Sequence, residues 1–172
     1  MTPTPTGRIL PTADGRDLVL TRSFRAPIED VWASITEPER TARWFASWSG
    51  NPGPGRTIRY RLEFEEGTPE GDMTIDACDP PRHLAVSTRD EYGTWRLEAT
   101  LTEDRDTTVL TFVQHLDPGA KAGEVGPGWE YYLDRLVASR DGGPAPDFED
   151  YYPGQAEYYE RQEPDGQGPP PA

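Results

Sequence analysis

Long apolar runs are missing from this 172-residue chain. No window approaches the ~18 apolar residues that a membrane-spanning helix needs, and the mean hydropathy is −0.80. Cysteine is nearly absent: Cys78 stands alone, which excludes an internal disulfide framework. The two histidines, His83 and His115, share no zinc-ligand spacing with Cys78, so no metal is expected. Basic charge is scarce, with 17 Lys and Arg against 31 Asp and Glu and a formal net charge of −14. A field of that sign repels phosphate backbones and anionic lipid surfaces, which argues against nucleic-acid and membrane partners. There is no glycine-rich phosphate loop, no Gly-x-Ser-x-Gly elbow and no dinucleotide fingerprint, so no cofactor is expected. The opening MTPTPTGRIL lacks a basic stretch followed by an apolar one, and the expected setting is the cytoplasm.

Proline and glycine, by contrast, are plentiful, at 19 and 17 residues. Both interrupt regular structure, and they divide the chain into three parts. Residues 1–15 read as a flexible lead-in, 16–140 as a folded domain, and 141–172 as an acidic Tyr/Pro-rich extension, partly disordered from Gln162 onward. The last 32 residues carry eight acids against one base, Arg161. The tyrosine pairs Tyr151-Tyr152 and Tyr158-Tyr159 are expected to pack that extension back over the domain.

Within the domain, Leu18, Leu20 and Phe24 alternate with polar positions from Arg16 to Arg25, which predicts a strand. Ala26-Pro27 ends it. Ile28, Val31, Trp32 and Ile35 then recur at helical spacing, with Glu29 and Asp30 in the first turn. Thr36, with Glu39 three residues on, looks like an N-cap for a second short helix reaching Trp44. A loop with Trp44, Phe45 and Trp48 follows. Five more alternating runs come next: Thr57–Phe64, Met73–Ala77, Leu84–Asp90, Trp95–Leu101 and Leu110–Leu116. Trp129, Tyr132, Leu133, Leu136 and Val137 share one helical stripe over 127–140, and Gly142-Gly143-Pro144 ends it. The fold class is therefore α+β: a curved six-stranded antiparallel sheet wrapped around a long C-terminal helix, with two short helices after the first strand.

One helix rarely fills the concavity of a curled sheet of that size, so an internal cavity is the expected ligand site. Polar residues in the apolar phase of strands, Arg22, Tyr60, Thr88 and Gln114, are either satisfied by neighbours or solvent at strand ends, or converge to orient a ligand there. Phe64, Trp95, Phe112 and Trp129 are expected to line the cavity, and Trp44, Phe45 and Trp48 either form its rim or pack as core. His115 lies out of phase near a strand end and reads as a partly exposed structural histidine. Nothing cationic beside Cys78 favours a thiolate, and no catalytic residue can be named.

The run Arg25-Ala-Pro-Ile-Glu-Asp-Val-Trp-Ala-Ser-Ile-Thr-Glu-Pro-Glu-Arg-Thr-Ala-Arg-Trp-Phe45 resembles the START-like, helix-grip superfamily SRPBCC. Its nearest branch is similar to the C-terminal domain of the activator of the heat-shock-protein ATPase. Gly128-Trp129, Leu133 and Leu136 match the usual opening of the final helix, and the resemblance runs from about Leu18 to Ser139. It implies a helix-grip fold and one of three roles: binding a small hydrophobic ligand in an internal cavity, cyclase/aromatase- or hydrolase-like catalysis on the same scaffold, or a co-chaperone-like module with a protein partner. Fold alone does not choose among them; the expected internal cavity makes the first the leading expectation. Catalysis would require Arg22, Tyr60, Gln114 or His115 to converge inside the cavity.

Overall fold

Strict alternation of apolar residues turns one face of each central strand inward. The computed structural model, which describes residues 2–163, contains eight strands rather than six: β1 Arg8–Thr12, β2 Gly15–Phe24, β3 Ala46–Ser49, β4 Thr57–Leu62, β5 Glu70–Asp79, β6 His83–Asp90, β7 Gly93–Asp104 and β8 Thr107–Leu116. They form one antiparallel sheet in the order β1-β2-β8-β7-β6-β5-β4-β3. The helices are α1 Ile28–Thr36, α2 Pro38–Thr41, α3 Ala122–Asp141 and α4 Ala156–Glu160, with a 3-10 turn at Phe148–Asp150.

The two additional strands lie at the sheet edges, where the sequence signal is weakest. In β1 only Ile9 is buried, and Pro11 removes one backbone donor. Its segment belongs to the expected lead-in, yet it pairs with β2 from Arg8↔Val19 to Thr12↔Gly15. β3 is four residues of the aromatic loop, paired with β4 through Trp48↔Tyr60. The expected Thr57–Phe64 strand stops at Leu62, which leaves Phe64 in the following turn.

Helix ends depart from expectation for local reasons. Thr36 does not cap α2; its hydroxyl donates to Trp32 O at 2.8 Å, and Glu37 occupies the cap position. α2 consequently lasts one turn and ends at Thr41, short of Trp44. At the N-terminus of α1 the carboxylate of Glu103 accepts from Ile28 N at 3.0 Å, satisfying one of the donors a helix start leaves open. α3 begins five residues before Pro127, which sits inside it. Gly142 closes that helix in the left-handed region, at φ 74°.

α3 is buried on two sides. Trp129, Leu133 and Leu136 face the sheet, whereas Gly123, Gly126 and Glu130 face the C-terminal extension. A Cβ at Gly126 would lie 2.5 Å from the Tyr159 ring, and one at Gly123 would lie 2.8 Å from Glu160. The two glycines therefore create the surface onto which α4 docks. Tyr151 and Tyr159 are buried there, while Tyr152 stays exposed.

Beneath that contact lies a charged network. Arg22 donates to Glu130 Oε2 at 2.8 Å and to Asp134 Oδ1 at 3.0 Å. The other oxygen of Glu130 accepts from the backbone N–H groups of Thr6 and Gly7 and from the Tyr159 hydroxyl. Tyr151 donates to Asp134 at 2.7 Å. Burial and the adjacent carboxylate hold the Tyr159 hydroxyl far above its usual pKa, so it stays a donor. Gln162 bonds Ile9 N and Gly7 O, and Glu163 pairs with the buried Arg16 at 2.7 Å. These two residues are therefore placed, while the rest of the segment expected to be disordered, 164–172, lies outside the described residues.

Gly126→Ala is expected to push Tyr159 out of its seat and cost about 1–3 kcal/mol. Urea unfolding of the variant against the parent chain measures this, and an unchanged midpoint would contradict the docking described.

Candidate functional site: an apolar cavity beside the aromatic core

α3 packs against β2, at one side of the curved sheet. The main core accordingly gathers β2, β7, β8, α1 and α3, whereas Ile58, Tyr60, Met73 and Ile75 of β4 and β5 form a separate cluster. Between the two lies a cavity of about 190 Å³. Leu97, Leu110, Phe112, Trp129 and Leu133 wall it on the helix side, and the β4–β5 cluster with Leu84 and Val86 walls it on the other. Trp44, Phe45 and Trp48 close one end, with Pro52 and Gly53 from the β3–β4 loop.

Both closing tryptophans are fixed by their polar ends. Trp44 Nε1 donates to Ser34 O and Trp48 Nε1 to Thr36 O, each at 2.9 Å. The last carbonyls of a helix lack intrahelical partners, so the end of α1 supplies these acceptors at no cost to its own hydrogen bonds. Trp129 is held likewise, donating to Gln114 Oε1 at 2.6 Å. Its ring lies 4.4 Å from Phe112 and 5.6 Å from Phe45, centre to centre. Tyr132 completes the cluster 5.0 Å from Phe45 and donates to Glu65 at 2.6 Å.

Of the nine side chains expected to meet a ligand, Trp44, Trp48, Tyr60, Phe112 and Trp129 line this cavity. The other four do not. Arg22 is consumed by Glu130 and Asp134 on the far flank of α3. Phe64, past the end of β4, lies 3.5 Å beneath the Arg135 guanidinium. Trp95 precedes Leu97, where β7 reaches the cavity, and its buried indole Nε1 has no partner among the described residues. Gln114 is 2% exposed and its amide is committed to Trp129. Phe45 lines the cavity beside Trp44 and Trp48, as the aromatic loop suggested, and Met73, Ile75 and Leu97 line it as well; the period-two pattern turns these last three inward without separating cavity from core.

Polar chemistry inside the cavity is sparse. Tyr60 Oη lies 3.4 Å from Thr88 Oγ1, whose proton is directed to Asp72 O at 2.6 Å. The hydroxyls of Thr36 and Thr41 donate to backbone carbonyls. Desolvation, then the neighbouring Asp79, pushes the Cys78 thiol up, so it stays protonated and a poor nucleophile. Among the described residues, no group of three His, Cys, Asp or Glu side chains is placed to hold a metal ion.

The histidines lie outside the cavity, in a chain of alternating acids and bases across four strands. Asp17 bonds His115 Nδ1 at 2.8 Å, His115 Nε2 bonds Glu98, and Glu98 bonds His83 Nε2 at 2.8 Å. Partial burial lowers the His115 pKa, but hydrogen bonds to Glu98 and Asp17 outweigh it and leave the pKa raised. Hydrogen bonds from His115 and then His83 hold Glu98 below its ordinary value.

Residues 25–139 match the family described as Activator of Hsp90 ATPase homolog 1-like protein. Among solved structures, CalU16 from Micromonospora echinospora is similar at TM-score 0.73 and 26% identity, covering 92% of this chain and 96% of that one. DynU16, described as a protein in the dynemicin biosynthetic locus, is similar at TM-score 0.65 and 25% identity, over 77% of this chain and 50% of that one. A Bordetella parapertussis protein shares the fold at TM-score 0.69 and 23% identity, covering 94% and 95%. None of the curated proteins matches the sequence.

The acid–base chain sets a pH dependence. A raised His115 stabilises the fold fully below its unfolded value of about 6.5 and loses that contribution as pH rises through the folded value. The lowered Glu98 contributes above its unfolded value of about 4.3 and is lost as pH falls through its folded one. The stability gap between the parent chain and His115→Gln should therefore be wider near pH 5.5 than near pH 9, as read by urea unfolding at about those two pH values. Equal gaps would contradict the pairing.

Proposed function

The chain belongs to the Activator of Hsp90 ATPase homolog 1-like family, and from that premise we propose that it binds a small, flat, largely apolar molecule in its internal cavity. The observation that carries this is the cavity itself: about 190 Å³ walled by Trp44, Phe45, Trp48, Tyr60, Phe112 and Trp129 with aliphatic neighbours. An apolar cavity of about 150 Å³ stays dry and takes benzene, so the space suits a ligand of roughly one or two rings. Aromatic walls favour offset-stacked or edge-on contact with such a ring. The DynU16 likeness supports the same reading, since a biosynthetic locus is where a protein that holds an organic intermediate would serve.

Catalysis on the same scaffold finds less support. Of the groups it would recruit, only Tyr60 lines the cavity, while Arg22 is bonded to Asp134 and Glu130, Gln114 to Trp129, and His115 to Asp17 and Glu98. A co-chaperone-like role would need a contiguous apolar surface. Of the large exposed apolar side chains among the described residues, Leu10 is on β1, Tyr92 on the β6–β7 turn, and only Phe148 and Tyr152 adjoin each other. The reading places the protein in the cytoplasm, consistent with its lone cysteine. No helix among the described residues is long and apolar enough to cross a membrane.

Native mass spectrometry of the purified chain, with and without added naphthalene-type ligands, tests the reading. The parent chain should hold one small apolar molecule and quench tryptophan emission on binding. Ala99→Phe, which adds a ring to the cavity wall, should weaken binding about tenfold or more while costing no more than about 1–3 kcal/mol of stability. Full binding by a folded Ala99→Phe chain would sink the assignment of this cavity as the site.

A further inference from the structure

α2 and the turn that follows it have two sides with different chemistry. Thr41 and Trp44 line the apolar cavity. Arg40 and Arg43 line a separate hollow of about 180 Å³, completed by Asp30 and Ser34 of α1 and by Ser139 and Arg140 at the end of α3. In a chain of net charge −14, this hollow gathers three guanidinium groups around one carboxylate.

Asp30 is fully used. Its Oδ2 lies 2.6 Å from Arg140 Nη2 and its Oδ1 lies 3.2 Å from Arg40 Nη1. The hydrogen bond from Arg140 is the leading cause that holds Asp30 below the usual carboxylate range, so it is ionised at neutral pH. Arg140 also donates to Ser34 Oγ at 2.6 Å, and Arg40 Nε is paired with Glu37 at 3.0 Å. Arg43 is different. It is exposed, and no carboxylate among the described residues lies within ion-pair distance of it. Arg43 N donates to Arg40 O at 3.1 Å, a 3-10 connection in which residues i and i+3 eclipse. The two side chains therefore leave the backbone on the same side, and Arg40 Nη2 and the whole Arg43 guanidinium remain as donors.

We propose that this hollow is a phosphoryl-binding site, taking a phosphate group between Arg43, Arg40 and Arg140. The open donors of Arg43 and Arg40, beside the charge of Arg140, need oxygens in more than one plane. A carboxylate offers two oxygens in one plane, and Asp30 already spends both on two arginines. A phosphoryl group offers three acceptor oxygens and up to two charges, and guanidinium forks match it. The site shares no residue with the apolar cavity, so it stands or falls independently of the proposed ligand.

Calorimetric titration of the full chain with inorganic phosphate, and separately with phenyl phosphate, tests it against sodium chloride and sodium acetate at matched ionic strength. Both phosphates should bind saturably and move amide resonances in α1, α2 and the end of α3. Arg43→Gln, at an exposed position, should weaken that binding about tenfold or more, whereas Arg59→Gln on β4 should leave it unchanged. Tighter binding of phenyl phosphate would identify a phosphate monoester as the natural source, and equal binding would identify free phosphate. An equal response to chloride or acetate, or unaltered phosphate binding by Arg43→Gln, would overturn the site.

Discussion

The Glu130 carboxylate lies in α3 with 2% of its side chain exposed. A charge removed from water to that degree survives only where a counter-charge and several donors are supplied together. Arg22 of β2 supplies the charge, and Thr6, Gly7 and Tyr159 supply donors from the two ends of the chain. The N-terminal segment, the first long strand, the last long helix and the C-terminal extension thus meet at one side chain. Removing any single partner from such a cluster typically costs about 3–5 kcal/mol, because the remaining charge stays buried. The seat of α3 is therefore set by electrostatics on one flank and by apolar packing on the other.

From that seat the cavity follows geometrically. Arg22 draws α3 onto β2, near one end of an eight-strand order. Leu133 and Leu136 fill the space under β2, β7 and β8, but a single helix cannot also reach β4 and β5. The apolar faces of Ile58, Met73 and Ile75 remain to be covered. The short α2 turn and the tryptophans after it close that space from the end rather than filling it. Their indole N–H groups are bonded to α1, so the rings present apolar faces inward with no polar group left to satisfy.

Period-two alternation made the six central strands legible, and helical spacing did the same for α1 and most of α3. What escaped has a common cause: its partners are distant in sequence. β1 carries one buried residue and a proline, so its strand character comes from pairing with β2 rather than from pattern. The first turn of α3 contains Gly123 and Gly126, poor helix formers, and it is stabilised by α4 about thirty residues later. Arg22 and Gln114 were correctly placed on the inward phase. Which inward partner each would meet, Glu130 for one and Trp129 for the other, depends on the lateral position of α3, which no local pattern encodes. The same limit separates Phe64 from Phe112: one strand ends two residues early, and the ring packs beneath Arg135 instead of facing the cavity.

Charge and apolar surface are segregated with unusual completeness around α2 and α3. The arginines around α3 are held away from the cavity: Arg22 by Glu130, Arg135 over Phe64, Arg40 and Arg140 by Asp30. The imidazoles are likewise tied into the Asp17–His115–Glu98–His83 chain. The ionisable groups that do line the cavity are few, Tyr60, Cys78 and Glu98, and Glu98 is held by the two histidines. The wall therefore offers little electrostatic stabilisation to a developing charge and suits an apolar guest. The contrast within the turn after α2 is sharp, with Trp44 on the apolar side and Arg43 on the other.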